Sequence, residues 1–175
     1  GQHVLQLLPV NDTTIYGGEG DSYPYNCVSV FALHQQYIDI SALPAIKDGR
    51  TRAAFFRRAK RLNESRTFDY PAVNELKESY LRKLYEESGA KLLESPEYKL
   101  FEKEQRAWLK PYCAYRFLSK KVCPGPGNWG AYASYDESTC DRLKKEYDDA
   151  AHEMSYHALV QYFLYSQLKD AHEHS

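Results

Sequence analysis

The chain has 175 residues, with 23 Lys and Arg against 24 Asp and Glu, a formal net charge of −1. A near-neutral chain offers no broad basic field for nucleic acid, and no run of about 18 apolar residues provides a membrane span. Sixteen tyrosines stand out, and the four cysteines have no CxxC spacing, which fits a reduced, cytoplasmic protein better than a disulfide framework.

From the start of the chain, Val4 to Val10 is a short apolar run, interrupted by Gln6 and closed by Pro9. It reads as a buried strand, with polar Asn11, Asp12, Thr13 and Thr14 at its carboxyl end. A loop with Gly17, Gly18 and Gly20 leads into Asp21-Ser22-Tyr23-Pro24-Tyr25. Phe31 to Ile38 reads as a short helix, and Ser41 to Gly49 as a connector. Thr51 to Glu64 is a basic helix whose Arg52, Arg57, Arg58, Lys60 and Arg61 form a solvated face, with Phe55, Phe56 and Leu62 inward.

Asp69 is an expected N-cap with Pro71 in the first turn, and that helix is expected to run to about Ser88 and stop at Gly89. Its apolar stripe is Val73, Leu76, Tyr80 and Leu84. Ser95 and Pro96 open the next helix, whose Tyr98, Phe101, Gln105, Trp108, Tyr112 and Tyr115 fall on one aromatic face. Trp108 is expected in the core, and Pro111 should kink the helix near Ala107. Pro124 to Gly127 ends it, and Asn128 to Tyr132 is an irregular aromatic loop. A last helix is expected from near Asp136 to the end of the chain. Between Tyr156 and Tyr165 it is apolar on nearly every face, so it needs partners on several sides, expected to be barrel strands and helices of a longer protein.

Five segments in order carry a family resemblance. Asp21-Ser22-Tyr23-Pro24-Tyr25 leads, followed by Phe31-Ala32-Leu33-His34 with Tyr37-Ile38. Asp69-Tyr70-Pro71-Ala72-Val73 with Leu76-Lys77 and Leu81-Arg82-Lys83 comes next. Then come Trp108-Leu109 with Tyr112 to Leu118, and finally Tyr156-His157, Gln161-Tyr162 and Gln167-Leu168. Together these resemble glycoside hydrolase family 77, the 4-alpha-glucanotransferases, and most closely its subgroup with an extra Tyr inside the Asp-Ser-Pro-Tyr segment. Gln35 and Gln36 depart from the family's Pro-Leu.

The resemblance implies a piece of a (β/α)₈ barrel. A whole barrel needs about 250 residues, so the chain is expected to be an internal segment, mainly α. Residues 1–40 would be a barrel strand and substrate loop, 41–135 a helical insertion, and 136–175 a barrel-packing helix. The implied activity is transfer of glucosyl units between α-1,4-glucans by a retaining mechanism, without nucleotide or metal. Such a mechanism needs two carboxylates about 5 Å apart. None of the Asp or Glu here resembles the family's catalytic motif, so both are expected outside this chain, which alone should be inactive.

By the same resemblance, Ser22 and Tyr25 contact the acceptor sugar and Asp21 supports their loop. Tyr25 can lay its ring on a pyranose face and donate its hydroxyl, or it can be a packing residue. Trp129 sits in a Pro/Gly-rich loop and can stack on sugar or pin that loop to the core. His152, His157, His172 and His174 lack zinc-ligand spacing, and Tyr16-Gly17-Gly18 lacks the Lys and helix start of a phosphate loop. The partners implied are a maltodextrin and the remainder of a catalytic domain. The other reading is a freestanding helical interaction module.

Overall fold

The computed structural model describes residues 6–15, 18–121 and 129–173. Five α-helices carry the described architecture: α1 (Gly49–Asn63), α2 (Tyr70–Leu93), α3 (Pro96–Lys121), α4 (Thr139–Glu146) and α5 (Ala150–Glu173). The antiparallel pair α3 and α5 forms the centre, α2 packs on α5, α1 lies outside α2, and α4 caps the α3–α5 groove. A single core links them, from Tyr80, Leu81 and Leu84 on α2 through Leu109 and Phe117 on α3 to Leu159 and Phe163 on α5. Each such buried side chain contributes roughly 1.5–3 kcal/mol.

The chain is mainly helical, as its periodicity implies, but the expected strand is absent from its described part. Residues 6–10 are irregular, and Val4 and Leu5 lie outside the described residues. Asn11 makes one antiparallel bridge with Leu33, supported by Asp12 N–H to Ala32 C=O at 2.8 Å and His34 N–H to Val10 C=O at 2.9 Å. A helix supplies what a neighbouring strand would. The Gln161 side-chain amide on α5 accepts from Leu33 N–H at 2.8 Å and donates to Leu33 C=O at 2.9 Å. Two turns further along, Gln167 does the same for Asp39, at 2.8 and 2.9 Å. These two clamps hold the segment extended on α5. The helix expected over Phe31–Ile38 is accordingly reduced to one 3₁₀ turn, Gln35–Tyr37, with the His34 ring as its cap.

The helix starts follow their caps. Asp48 accepts from Arg50 N–H and Thr51 N–H, Asp69 accepts from Ala72 N–H, and Ser95 accepts from Tyr98 N–H. α1 buries no residue fully; its Phe55 and Phe56 meet the Tyr80 ring edge-on at 5.3 and 6.2 Å, leaving the basic face wet. α3 continues through Pro111. Trp108 is half-buried rather than central, sandwiched between Phe31 at 6.1 Å and Tyr165 at 5.4 Å.

Two helix ends differ from expectation. α2 runs through Gly89 to Leu93, because Gly89 is a packing residue and no terminator. The Tyr85 ring lies across it: a Cβ on Gly89 would stand 2.6 Å from Tyr85 Cδ2. That ring is fixed by the His152 carbonyl, 3.1 Å from its hydroxyl, and by the Tyr156 ring at 5.6 Å. The last helix is two helices. Asp136 closes a turn onto Ser138, and Tyr147 leaves the helical backbone so that its ring meets Phe117 at 5.4 Å. α5 does bury nearly every face between Tyr156 and Leu164, but the partners are α2, α3 and the segment before α1, all within this chain.

Gly89→Ala is therefore expected to lower the melting temperature. The added carbon gains about 1 kcal/mol of helix propensity but overlaps a fixed ring, an overpacking cost of about 1–3 kcal/mol. A raised melting temperature would show that the ring moves freely.

Candidate substrate-binding loop and its buried support

Glu19–Ser22 forms a 3₁₀ turn, and Asn26 N–H closes a second turn onto Tyr23 C=O. Asp21 is buried, while Ser22 points into solvent with Tyr23 and Tyr25, which are 60% and 62% exposed. The two tyrosine rings pair at 5.6 Å. Pro24 between them is half-buried and holds the turn. Asp21, Ser22 and Tyr25 thus share one loop, with Asp21 turned inward and the other two outward. Trp129 lies elsewhere on the chain. It is half-buried, with its ring 5.1 Å from that of Tyr115 on α3.

Beneath the loop lies a polar cluster that spacing alone does not reveal. Asp12 and Arg116 are both buried, with Arg116 Nη1 3.7 Å from Asp12 Oδ2. They act on the backbone of one residue: Asp12 Oδ1 accepts from Thr14 N–H at 2.9 Å, and Arg116 Nη1 donates to Thr14 C=O at 2.7 Å. The Tyr112 hydroxyl donates to Asp12 Oδ2 at 2.7 Å, and Gln161 Nε2 lies 3.3 Å from that hydroxyl. Thr13 Oγ1 donates to the Asp21 carbonyl, joining the cluster to the loop directly.

The charges are matched to this arrangement. Burial alone would raise the Asp12 carboxyl; Arg116, Thr14 and Tyr112 outweigh it and hold that group below the ordinary carboxylate value. Burial pushes the Tyr112 hydroxyl well above its usual range, with the Asp12 charge adding to it, so Tyr112 stays a donor.

His34 forms a second buried contact, its Nε2 2.6 Å from the Tyr70 hydroxyl. His34 Nδ1 accepts from Gln36 N–H at 3.0 Å, which assigns the ring proton of the neutral imidazole to Nε2 and makes Tyr70 its acceptor. Tyr70, pushed up to about 12 mainly by burial, also has the Thr13 side chain as a hydrogen-bond neighbour. Farther along α5, His157 is buried with Nε2 unpartnered, beside Tyr156, whose ring carries the Arg82 guanidinium at 3.6 Å. Glu153 holds that guanidinium through two bonds, at 2.5 and 2.7 Å.

Asp12, Tyr112, Arg116 and Gln161 are the site-supporting residues that sequence reasoning did not assign. Two signals were present: Arg116 lies one turn beyond Tyr112 on an otherwise aromatic face, and Gln161 is a lone amide in an apolar stretch. Among the described residues no three His, Cys, Asp or Glu side chains gather as a metal site, and no helix is long and apolar enough to cross a membrane. Cys27, Cys113 and Cys140 are free thiols.

A family model described as 4-alpha-glucanotransferase matches residues 1–175. The chain belongs to that family, glycoside hydrolase family 77. It is 36% identical over 172 residues to the 4-alpha-glucanotransferase DPE2 of Oryza sativa subsp. japonica, covering 98% of this chain and 18% of that protein. It is 31% identical over 170 residues to a 4-alpha-glucanotransferase of Chlamydia pneumoniae, covering 96% of this chain and 31% of the relative. The corresponding protein of Chlamydia caviae is 29% identical over 171 residues, with 96% and 30% covered. The chain thus spans between about a fifth and a third of the length of these relatives. No solved structure matches it.

The buried imidazoles set a pH dependence. Burial is the main cause that lowers both, with Arg116 adding to it in each case; His34 falls below 6.5 and His157 well below it. In the unfolded chain each takes up a proton near pH 6.5, whereas the folded rings remain neutral. Their contribution is therefore complete above that pH and is lost as pH falls towards the folded values, by at most about 1.4 kcal/mol per pH unit for each ring. The carboxylates held low, Asp12 and Glu153, titrate from ordinary values of 3.8 and 4.5 and act only at lower pH. The urea midpoint should fall between pH 7 and 5.5, and His157→Gln should flatten that fall. A level midpoint across the range contradicts the assignment.

Proposed function

We propose that this chain is part of an enzyme that transfers glucosyl units between α-1,4-glucans by a retaining double displacement. Its own contribution is the acceptor side of the substrate site and the scaffold around it. The catalytic carboxylates come from other segments of the parent catalytic domain. The observation that carries this is the outward Ser22 and Tyr25 on a loop with a rigid buried base, in a chain matched along its whole length by the family. Tyr25 offers an exposed ring for a pyranose face and a hydroxyl donor; Ser22 offers a second hydroxyl, and buried Asp21 holds the turn. Trp129, on its Tyr115 platform, is a further sugar contact.

In the parent, residues 1–40 form the substrate-loop segment of a (β/α)₈ barrel, 41–135 a helical insertion, and 136–175, which carries α4 and α5, the barrel-packing part. Support for a domain partner comes from apolar groups left on the surface near the chain start: Leu7, Leu8, Val30 and Phe31 are 54–72% exposed. A maltodextrin is the substrate, and the free thiols agree with a cytoplasmic setting.

In the full-length enzyme, Tyr25→Ala should weaken use of glucose or maltose as acceptor by roughly three- to thirty-fold, about 0.5–2 kcal/mol of lost aromatic contact. Tyr25→Phe keeps the ring and should fall between. An unchanged acceptor KM in Tyr25→Ala, with a lowered melting temperature, would make this a packing residue and remove it from the site.

A further inference from the structure

We propose that Asp12, Thr13 and Arg116 form a latch that positions the acceptor loop, so that acceptor affinity depends on side chains that never touch sugar. This rests on the reading of Ser22 and Tyr25 as acceptor contacts. The geometry gives a continuous path. α3 presents Tyr112 and Arg116 one turn apart on its inner face, and both meet the 12–14 segment. The carboxylate holds the N–H of Thr14 and the guanidinium its C=O, one group on the peptide unit each side of that residue, fixing the direction of the backbone there. The adjacent Thr13 hydroxyl then donates to the carbonyl of Asp21, the residue immediately before Ser22.

The latch is enclosed. Asp12, Thr13, Asp21 and Arg116 are 3 to 7% exposed, whereas Tyr23 and Tyr25, two and four residues past Asp21, are more than half exposed. A buried charge pair is a costly way to stabilise a fold and an effective way to select one geometry, because few other arrangements satisfy both charges. Hydrogen bonds to charged groups are also shorter and more directional than neutral ones. The loop therefore gains its placement from the interior side, and its outer face is left for ligand. Asp12, Thr13 and Arg116 are positioning residues on this account, since none of them is exposed enough to meet the substrate.

The test uses the full-length enzyme with maltotriose as donor and glucose as acceptor. Two rates are read, transfer to glucose and donor hydrolysis to water, the second needing no acceptor sugar. Thr13→Val removes the hydroxyl that reaches the Asp21 carbonyl, and Arg116→Lys keeps the charge but loses the planar fork. Each should raise the KM for glucose roughly three- to tenfold, the size of one lost hydrogen bond, while donor hydrolysis stays within about twofold. Thr13→Ser, which keeps the hydroxyl, should restore the wild-type KM.

Equal losses in transfer and hydrolysis would overturn the proposal, because a structural role harms both. So would an unchanged KM in a folded Thr13→Val, or a Thr13→Val that fails to fold while Thr13→Ser folds. If Arg116→Lys does not fold, Thr13→Val decides alone. Tyr25→Ala separates the two readings. A raised acceptor KM there with none in Thr13→Val rejects the latch and keeps the acceptor loop; no change in either rejects both.

Discussion

A carboxylate and a guanidinium share the backbone of one residue, Thr14, inside this protein, and the rest of the described structure is arranged to make that tolerable. Asp12 and Arg116 stand 3.7 Å apart, too far for a direct hydrogen bond, and the backbone about Thr14 lies between them as a common partner. Removing either charge from water costs several kcal/mol, so each needs its remaining contacts satisfied. Tyr112 supplies one, and it is itself held by Gln161 from the facing helix. The close pairing of α3 and α5 thus serves two ends. It builds the apolar core, and it brings a hydroxyl to a buried anion with an amide behind that hydroxyl.

The extended segment that crosses these helices obeys the same rule of satisfied groups. Leu33 and its neighbours are buried, so their backbone polar groups need partners. In a sheet an adjacent strand would provide them. Here Gln161 and Gln167, spaced along one side of α5, each bond to both the N–H and the C=O of a residue in the segment. The side-chain amide has one donor side and one acceptor side, which is the same pairing a strand residue offers. The extended backbone of this segment is secured one residue at a time. The apolar run near the chain start meets it at its far end, where Val10 C=O accepts from His34 N–H and Asn11 bridges to Leu33, while Leu7 and Leu8 are exposed.

Local chemistry was legible where it acts within one turn. The caps at Asp69 and Ser95 and the first-turn prolines are short-range devices, and α2 and α3 begin where those residues place them, whereas α1 starts at Gly49, capped by Asp48, two residues before the expected Thr51. The all-round apolar stretch of α5 read correctly as a helix buried on several sides. Helix ends were less legible, because they depend on packing. Gly89 carries the composition of a terminator, yet the Tyr85 ring across it makes it a contact residue inside α2. Tyr147 has no breaker beside it, yet its ring leaves the helix for Phe117. The family motif singled out Tyr25, which is exposed, but gave no reading of Tyr23, exposed beside it. The latch was not legible: Arg116 lies about 100 residues along the chain from the 12–14 segment it holds, 102 from Thr14, and periodicity carries no information at that range.

An exposed aromatic pair on an irregular loop would ordinarily be costly to use. A mobile loop must be ordered when ligand binds, and each immobilised side chain subtracts from affinity. For the acceptor contact proposed for Tyr25, three features of the loop reduce that cost. Pro24 limits the backbone between them, the Tyr23–Asn26 turn closes the loop tip, and Thr13 fixes its base from below. The rings themselves lose only two side-chain torsions each on contact. A sugar ring offers weak, shallow contacts and cannot repay much ordering. A site for it works best when its aromatic groups are already in place, with their support in a layer that water does not reach. The burial pattern of this chain has that form. At this loop Asp12, Asp21, Arg116 and Gln161 lie inside, while the Tyr23 and Tyr25 rings lie outside.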